Sequence, residues 1–259
     1  IALLITDTMI EAEVNARLAK FKLFRYERVG LTLRPELVAL KCESGDAGRF
    51  AALISKVKQE SDGGIILMSA DNPDALEAGL KACADRRPLL YAATLECCDR
   101  VAAMAKANSC PVVAKASGLE PLAELTTRLT ALGIKDIILD TGSRALRLAF
   151  EEQIIIRSLA LTKKFRPLGF PTIVFPAEMT PDPMKEALIA ATFICKYGSI
   201  IVLSDFYGES LFPLLVARLN IFTDPQRPLA TTEGIYEIGG PHENSPVLIT
   251  TNFSLTYFI

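Results

Sequence analysis

The chain has 259 residues, half of them apolar, and its 28 Lys and Arg residues nearly balance its 30 Asp and Glu residues. This balance argues against a nonspecific nucleic-acid-binding surface, which needs a local excess of positive charge. No apolar run approaches the roughly 18 uninterrupted residues of a membrane-spanning helix, so we expect no membrane partner. Because the sequence begins with Ile1 and stops in an apolar run at Ile259, we expect it to be an excised part of a longer protein.

Eight short runs rich in Ile, Val and Leu follow one another along the chain, and helix-like segments separate them, as in buried parallel strands with helical crossovers. The predicted strands are 1–6, 37–42, 64–69, 89–93, 112–116, 136–139, 172–175 and 199–203. Amphipathic helices are predicted between them, most clearly over 74–84, 119–132 and 183–197. This eightfold alternation predicts an α/β fold, a (β/α)8 TIM barrel. A doubly wound open sheet is the alternative, although no glycine-rich nucleotide-binding fingerprint follows any strand.

Two helix boundaries carry recognisable signals. Asn72 followed by Pro73 predicts a capped helix start after the third strand, because the amide accepts from free N–H groups and proline has its φ already set. Gly133 predicts a left-handed helix end before the sixth strand. After about residue 220 the chain becomes rich in turn-forming residues, and an extended segment is predicted over 247–258.

The cysteines do not form a recognisable metal site. Cys97 and Cys98 are adjacent and the other four stand alone, so there is no Cys-x-x-Cys pair and we expect no metal ligands in this chain. Without a secretory signal, free thiols that pack as small apolar side chains are expected, in a reducing cytoplasm.

In an α/β barrel the chemistry lies at the carboxyl ends of the strands, and acidic residues follow most of the predicted strands here. They are Asp7, Glu43, Asp71, Glu96, Asp140, Glu178 and Asp205. Such a ring can bind a protonated heterocycle such as a pterin, or a divalent metal. The alternative is that these acids cap the helices that follow the strands.

The strongest single candidate is the loop Leu139-Asp140-Thr141-Gly142-Ser143-Arg144. It is similar to the Asp-Pro-Gly turn of pterin-binding barrels such as dihydropteroate synthase, with Thr141 in place of the proline. The lone His242 lies in a turn rich in Gly and Pro and has no Ser or Cys at a recognisable spacing. No catalytic residue is assigned, and a surface or interdomain histidine is expected.

Four stretches of the sequence resemble the large (gamma) subunit of the corrinoid/iron-sulfur protein of the acetyl-CoA pathway. They are residues 85–94, 165–171 and 220–226, and above all Glu243-Asn-Ser-Pro-Val-Leu-Ile-Thr-Thr-Asn-Phe-Ser-Leu-Thr-Tyr257. The resemblance implies a central (β/α)8 barrel over 1–222, a linker over 223–246 and the beginning of a cobamide-binding domain over 247–259. It also implies a four-iron four-sulfur cluster in a further domain that this chain lacks.

The function implied by the resemblance is methyl transfer. Proteins of this family carry a methyl group on the cobalt of a corrinoid (cobamide) from a methyltetrahydrofolate or methyltetrahydrosarcinapterin methyltransferase to acetyl-CoA synthase, and they form a heterodimer with a small subunit. The barrel itself is then expected to be a noncatalytic scaffold. The residues expected near the corrin are Thr250, Thr251, Asn252, Phe253, Ser254, Thr256 and Tyr257. The alternative for these residues is a plain first strand of the next domain.

Two further hypotheses about the barrel remain. In the first, it is a pterin-dependent methyltransferase that uses Asp71, Asn72 and Asp140. In the second, it is chiefly a dimerisation platform for the small subunit, which is compatible with the methyl-carrier hypothesis.

Overall fold

A computed structural model describes residues 1–28, 30–69, 72–221, 235–237, 239–247 and 249. Ten strands lie in these ranges: β1 (Ala2–Thr6), β2 (Tyr26–Arg28), β3 (Leu31–Leu33), β4 (Leu37–Lys41), β5 (Gly64–Met68), β6 (Leu89–Ala93), β7 (Val112–Lys115), β8 (Ile137–Asp140), β9 (Ile173–Val174) and β10 (Ile200–Leu203). The α-helices in the same ranges are α1 (Glu11–Leu23), α2 (Ala47–Glu60), α3 (Pro73–Cys83), α4 (Cys98–Asn108), α5 (Leu119–Ala131), α6 (Leu146–Leu161), α7 (Pro183–Cys195) and α8 (Gly208–Ile221).

Eight of the strands form one parallel sheet in the order β8-β7-β6-β5-β4-β1-β10-β9. A parallel bridge between Leu139 and Thr172 joins the two outer strands, β8 and β9, so the sheet closes on itself. The closed order follows the chain order of the eight strands, and one helix follows each strand within the part of the chain described. The (β/α)8 barrel predicted from the sequence is therefore confirmed, and the open sheet is excluded.

The core has two layers, because alternate residues of each strand face opposite sides of the sheet. The layer inside the barrel combines small side chains such as Ala2 and Ala39 with large ones such as Tyr91 and Phe175. The outer layer lies between strands and helices, and Phe50, Phe193 and many Leu and Ile residues fill it. The barrel lumen is thus a packed core rather than a channel, as is usual for eight strands.

The helix signals read from the sequence are also confirmed. The side chain of Asn72 accepts a hydrogen bond from the backbone N–H of Ala75 (3.0 Å), and Pro73 is the first residue of α3. Gly133 has a φ of +89° directly after the end of α5. That conformation is left-handed, so a side chain at this position would strain the backbone.

A small antiparallel hairpin, β2 with β3, interrupts the alternation between α1 and β4 and was not predicted. Its strands have only three residues each, too few for a periodic pattern to stand out. Tyr26 fixes the hairpin on the barrel wall, because its ring lies 4.9 Å from that of Phe212 on α8.

None of the helices in the described ranges offers an apolar stretch that would span a lipid bilayer.

The cysteines are all free, and they differ in burial. Cys83, Cys98 and Cys110 are buried as expected, and burial raises the pKa of the Cys83 thiol to about 12. Cys195 is exposed at the end of α7, so the expectation of packed thiols is wrong for this residue. Its position after the buried Phe193 and Ile194 turns it away from the core.

Glu186 on α7 is a buried carboxylate that fixes the loop after β10. Its two oxygens accept hydrogen bonds from the backbone N–H and the hydroxyl of Ser204, each at 2.6 Å. Burial raises the pKa of Glu186, and the two bonds from Ser204 offset this only in part. Stability should therefore fall as the pH rises from the unfolded-state pKa of about 4.3 through the higher folded-state pKa.

We expect Glu186→Gln to remove this pH dependence. The amide keeps one acceptor for the Ser204 N–H and one donor for its hydroxyl, without a buried charge. Thermal unfolding at pH 5 and pH 8 should show a smaller drop between the two pH values than in the wild type. A variant melting several degrees below the wild type at pH 8 would contradict this account.

Candidate functional site

The carboxyl ends of the barrel strands meet at one mouth, and a connected set of charged side chains lies there. Four residues form its centre: Asp140 at the end of β8, Arg144 in the following loop, Tyr91 on β6 and Glu178 after β9. Asp140 is 2% exposed and Tyr91 is 4% exposed, so the centre lies largely out of water. We call these four residues the mouth cluster.

Both oxygens of Asp140 are fully engaged. Its Oδ1 accepts from the backbone N–H of Gly142 (2.8 Å) and from Nη1 of Arg144 (3.1 Å). Its Oδ2 accepts from the Tyr91 hydroxyl (2.6 Å) and from Nη2 of Arg144 (3.0 Å). Burial, followed by the negative charge of Asp140, raises the pKa of Tyr91, so the phenol stays protonated and donates.

Local backbone features place these groups. The pairing of β6 with β7 shifts between Tyr91 and Ala93, so two consecutive residues, Tyr91 and Ala92, both face the lumen. Gly142 has a φ of +75°, and a side chain there would lie 3.3 Å from the Ala116 carbonyl. Glycine therefore lets the loop turn tightly enough for its own N–H to reach Asp140.

Glu178 extends the cluster toward β4. It accepts from Nε of Arg144 (2.5 Å) and from Nζ of Lys41 (3.1 Å), while Lys41 also lies 3.3 Å from Glu43. Burial acts to raise the pKa of Glu178, but the hydrogen bonds and charges of Arg144 and Lys41 outweigh it and hold the pKa below its usual range. Negative and positive side chains thus alternate across the mouth, from Asp140 through Arg144, Glu178 and Lys41 to Glu43.

Asp7 lies at the end of β1 on another side of the mouth, and the donors that bind it among the described residues are neutral. Its Oδ1 accepts from the backbone N–H groups of Glu43 (2.8 Å) and Ser44 (3.0 Å), and its Oδ2 accepts from the Ser44 hydroxyl (2.5 Å). Burial opposes these bonds, yet the pKa of Asp7 is lowered overall. Asp7 therefore fastens the loop after β4 to the end of β1.

The predicted acidic ring thus forms only in part. Asp205 pairs with Lys20 (2.6 Å), Glu96 is exposed, and Asp71 lies outside the described residues. Neither Asp7 nor Asp140 caps a helix, so the capping alternative is wrong for these two. Nowhere in the part of the chain described do three or more His, Cys, Asp or Glu side chains lie close enough to hold a metal ion.

The pterin hypothesis finds two of its three residues engaged elsewhere. Asn72 caps α3, and both oxygens of Asp140 hold Arg144 and Tyr91. A heterocycle that needs the Asp140 carboxylate would therefore have to displace the Arg144 guanidinium.

The residues predicted to lie near the corrin, from Thr250 to Tyr257, fall outside the described residues, so those assignments stay predictions. His242 is described and exposed, and its Nδ1 accepts from the backbone N–H of Asn244 (3.2 Å) within a local turn. This placement agrees with a surface histidine.

Sequence reasoning identified Asp140 but missed its partners. Arg144 is the last residue of the loop 139–144, and its spacing of four residues from Asp140 was an available signal for an ion pair. Tyr91 and Lys41 gave no such signal, because their partners Asp140 and Glu178 lie 49 and 137 residues further along the chain.

We expect Glu178→Gln to lower the free energy of unfolding at pH 7 by about 1 kcal/mol, because it removes a partly exposed carboxylate that serves two cations. Since the folded-state pKa of Glu178 is depressed, its contribution is present above the unfolded-state pKa of about 4.3 and is lost as the pH falls below that value. Urea unfolding of both proteins should therefore differ at pH 7, and the difference should shrink as the pH is lowered below about 4.3.

Glu11→Gln is the matched control for this prediction. Glu11 also pairs with a lysine, Lys56, but its side chain is 80% exposed. We expect no measurable change in that variant. An equal effect of the two substitutions at pH 7 would show that the mouth cluster contributes nothing beyond an ordinary surface ion pair.

The fold of the chain is similar to that of dihydropteroate synthases. The enzyme from Vibrio fischeri ES114 matches with a TM-score of 0.57 and 16% identity over 86% of this chain and 93% of that one. The enzyme from Xanthomonas albilineans with bound 4-aminobenzoic acid matches with a TM-score of 0.56 and 14% identity. At these identities the likeness concerns the barrel fold alone.

The sequence itself matches a family along its entire length. The family described as "CO dehydrogenase/acetyl-CoA synthase delta subunit" matches residues 1–259. The corrinoid/iron-sulfur protein large subunit of Moorella thermoacetica is 39% identical over 258 residues, which are 100% of this chain and 57% of that protein. The acetyl-CoA decarbonylase/synthase complex subunit gamma 2 of Methanosarcina thermophila is 35% identical over 98% of this chain and 56% of that protein. The chain therefore belongs to the CO dehydrogenase/acetyl-CoA synthase delta subunit family, and along its whole length it is similar to corrinoid/iron-sulfur large (gamma) subunits.

Proposed function

We propose that this chain is the barrel part of a methyl carrier. In this proposal the whole protein moves a methyl group, on a corrinoid, from a methyltetrahydrofolate or methyltetrahydrosarcinapterin methyltransferase to acetyl-CoA synthase. The observation that carries the proposal is the family match over residues 1–259. The chain spans about 57% of the length of the Moorella relative, so the carrier activity belongs to a longer protein.

The described residues do not fit either cofactor that the relatives' names imply. An iron-sulfur cluster needs several thiolates together, and among the described residues no such group of ligands exists. A corrin needs a broad open face, whereas Arg144, Tyr91 and Phe175 fill the barrel mouth. We therefore derive no chemical step from this part of the protein. Its role in the proposal is to support the cofactor domains and to dock partners.

The surface suited to docking is the outer face of α6 and α7, where large apolar side chains point to solvent. Those more than 40% exposed are Leu146, Leu148, Ile154, Ile155, Leu161, Met184 and Leu188. We call these residues the apolar face.

The inner side of α6 is unusually polar by comparison. It buries Glu152 and Gln153, and Oε2 of Glu152 has no hydrogen-bond partner among the residues that the structure describes. A helix that buries polar residues and exposes leucine and isoleucine is stable when a second protein covers its outer side.

Positive charges flank the apolar face. Arg157, Lys163, Lys164, Lys185 and Lys196 are exposed residues along α6, α7 and their ends, and they outnumber the exposed acids there, Glu151 and Asp182. We propose that the partner on this face is the small subunit of the heterodimer. Its complementary patch would be apolar at the centre and acidic at the rim, as in interfaces that exclude water from an apolar core.

The docking proposal is tested by co-expressing the full-length large subunit with the small subunit and purifying the complex through one tagged chain. We expect Ile155→Asp to weaken association by a factor of about 10 or more, because it replaces an exposed apolar side chain of this face with a charge. Leu23→Asp is the control, since Leu23 is 72% exposed on α1, far around the barrel. Equal yields of complex from the two variants would refute the assignment of this face.

The carrier proposal is tested on the full-length protein by its ultraviolet-visible spectrum. Corrinoid absorption bands together with an iron-sulfur shoulder are expected. A full-length protein purified anaerobically with cobamide supplied, and still free of corrinoid bands, would refute the proposal. The readout does not depend on the docking face, so the two proposals can fail separately.

The alternative function, a pterin-dependent methyltransferase barrel, receives support only from the fold shared with dihydropteroate synthases. Calorimetric titration of the full-length protein with methyltetrahydrofolate separates the two functions. We expect no heat of binding at the barrel, because Arg144 holds the carboxylate that the pterin would need. Binding that Asp140→Asn abolishes would favour the alternative.

A further inference from the structure

The guanidinium of Arg144 has a hydrogen-bond acceptor for each of its five N–H groups. Two go to the two oxygens of Asp140, and one goes from Nε to Glu178 (2.5 Å). The remaining two go to the carbonyl of Ser143 (3.2 Å) and to the hydroxyl of Tyr91 (3.0 Å). Complete satisfaction of this kind means that the surroundings match the group in shape as well as in charge.

The flat face of the Arg144 guanidinium also has a partner, the aromatic ring of Phe175. Its central carbon lies 4.3 Å from the centre of the Phe175 ring, which is completely buried. The Phe175 and Tyr91 rings are in turn packed edge to face, with their centres 5.3 Å apart. An aromatic face, a two-pronged carboxylate and a second carboxylate are together the elements with which proteins recognise planar guanidine-type cations.

We infer that the barrel mouth is a binding site for a planar guanidine-type group, and that the chain fills this site with its own Arg144. The ligand class is defined by an N–C–N edge with two parallel N–H donors, as in methylguanidinium or a 2-aminopyrimidin-4-one ring. Such a ligand binds when the Arg144 side chain is removed, and does not bind while the side chain is in place. This inference is independent of the carrier and docking proposals.

The geometry explains why Arg144, rather than an added ligand, occupies the site in the wild-type protein. Arg144 is tethered four residues from Asp140, so its effective concentration at the site far exceeds that of a free ligand. The Arg144 side chain is still 24% exposed, which leaves a path from solvent to the site. Removal of the side chain beyond Cβ opens a space that a small planar ligand can enter.

The test is chemical rescue in the full-length protein. We expect Arg144→Ala to lower the melting temperature by about 5 °C or more, and methylguanidinium at about 10 mM to restore about half of that loss. Sodium chloride and urea at the same concentration should restore nothing. The wild type should show no stabilisation by methylguanidinium, because its site is full.

Two variants serve as controls. Arg147 is the next arginine along the chain, and it pairs only with Glu151 in the described contacts and is 90% exposed. Arg147→Ala should show no rescue. The double variant Arg144→Ala/Asp140→Asn keeps the space but loses the carboxylate, and should show none either. Rescue of Arg144→Ala no greater than that of either control would overturn the inference.

Two further measurements cover the remaining outcomes. If Arg144→Ala does not fold, it is refolded with methylguanidinium or with sodium chloride. Recovery only with methylguanidinium supports the site, and equal or no recovery in both overturns it. Calorimetry with 2-aminopyrimidin-4-one tests the heterocycle directly. Binding to Arg144→Ala but not to the wild type is expected, and its absence would restrict the site to cations and overturn that part of the inference.

Discussion

Replacement of Asp140 by alanine is expected to lower the free energy of unfolding by about 3 kcal/mol, equivalent to a melting temperature lower by roughly 6–12 °C. The substitution leaves the Arg144 charge without its two-pronged partner and the Tyr91 hydroxyl without its acceptor. Tyr91 is 4% exposed, so water replaces its lost bond poorly. Solvent reaches part of Arg144, which keeps the loss at the lower end of the range for buried ion pairs.

Urea unfolding of the purified protein at pH 7 measures this effect, and Asp182→Ala is the appropriate comparison. The Asp182 carboxylate also accepts two hydrogen bonds, from the backbone N–H groups at the start of α7. It lies at the surface, and loss of such a helix cap costs about 1 kcal/mol. If Asp140→Ala cost no more than Asp182→Ala, the mouth cluster would be dispensable for stability.

Replacement of Phe175 by alanine is expected to cost about 3–4 kcal/mol of unfolding free energy. Phe175 is completely buried inside the barrel, and its ring contacts both Tyr91 and the Arg144 guanidinium. The substitution creates a cavity between the lumen and the mouth and removes the cation–π contact. The same urea unfolding measurement at pH 7 tests it.

Two milder variants separate the causes of that loss. Phe175→Leu keeps most of the volume but lacks the aromatic face, and we expect it to cost about 1.5 kcal/mol. Ile173→Val removes one methyl group from the same lumen, where Ile173 is 2% exposed, and should cost about 1 kcal/mol. A loss in Phe175→Ala as small as that in Ile173→Val would mean that the lumen collapses around the missing ring.

The fold was predictable because its signals are local. Each of the eight barrel strands is a short β-branched or leucine-rich run, and each starts or ends within one or two residues of the predicted limits. Such runs need burial on both faces, and repeated alternation with helices leaves few ways to bury them. The β2–β3 hairpin was not predicted, because strands of three residues have too few positions to show an alternation of apolar and polar residues.

Of the mouth cluster, the sequence made only Asp140 recognisable, and not the residues that bind it. Asp140 is recognisable because a carboxylate follows a buried strand, but the strand does not indicate what the carboxylate binds. Its partner Tyr91 is 49 residues away, and the shift in β6 pairing that turns it inward has no signature in composition. Contacts between distant strand ends depend on register and closure, which single-sequence patterns do not encode.

Helix α6 shows the opposite case, in which the sequence pattern disagrees with the fold. Periodicity would place Leu148 and Ile155 in the core, yet both are more than 40% exposed while Glu152 is buried. The sequence of α6 is therefore consistent with two surfaces, one against the barrel and one against a second protein. A pattern read for one chain alone cannot distinguish them.

The closure of the barrel has a consequence for its dynamics. Five residue pairs join β1 to β4, but among the described residues one bridge, Leu139 with Thr172, joins β8 to β9. Arg144 spans this junction with side-chain bonds to Asp140 at the end of β8 and to Glu178 beyond β9. Local opening should therefore start between these two strands, and the amide hydrogens of β9 should exchange with deuterium before those of β4. The barrel would then open as a curved sheet whose two ends are joined by one backbone bridge and by the side-chain bonds of Arg144.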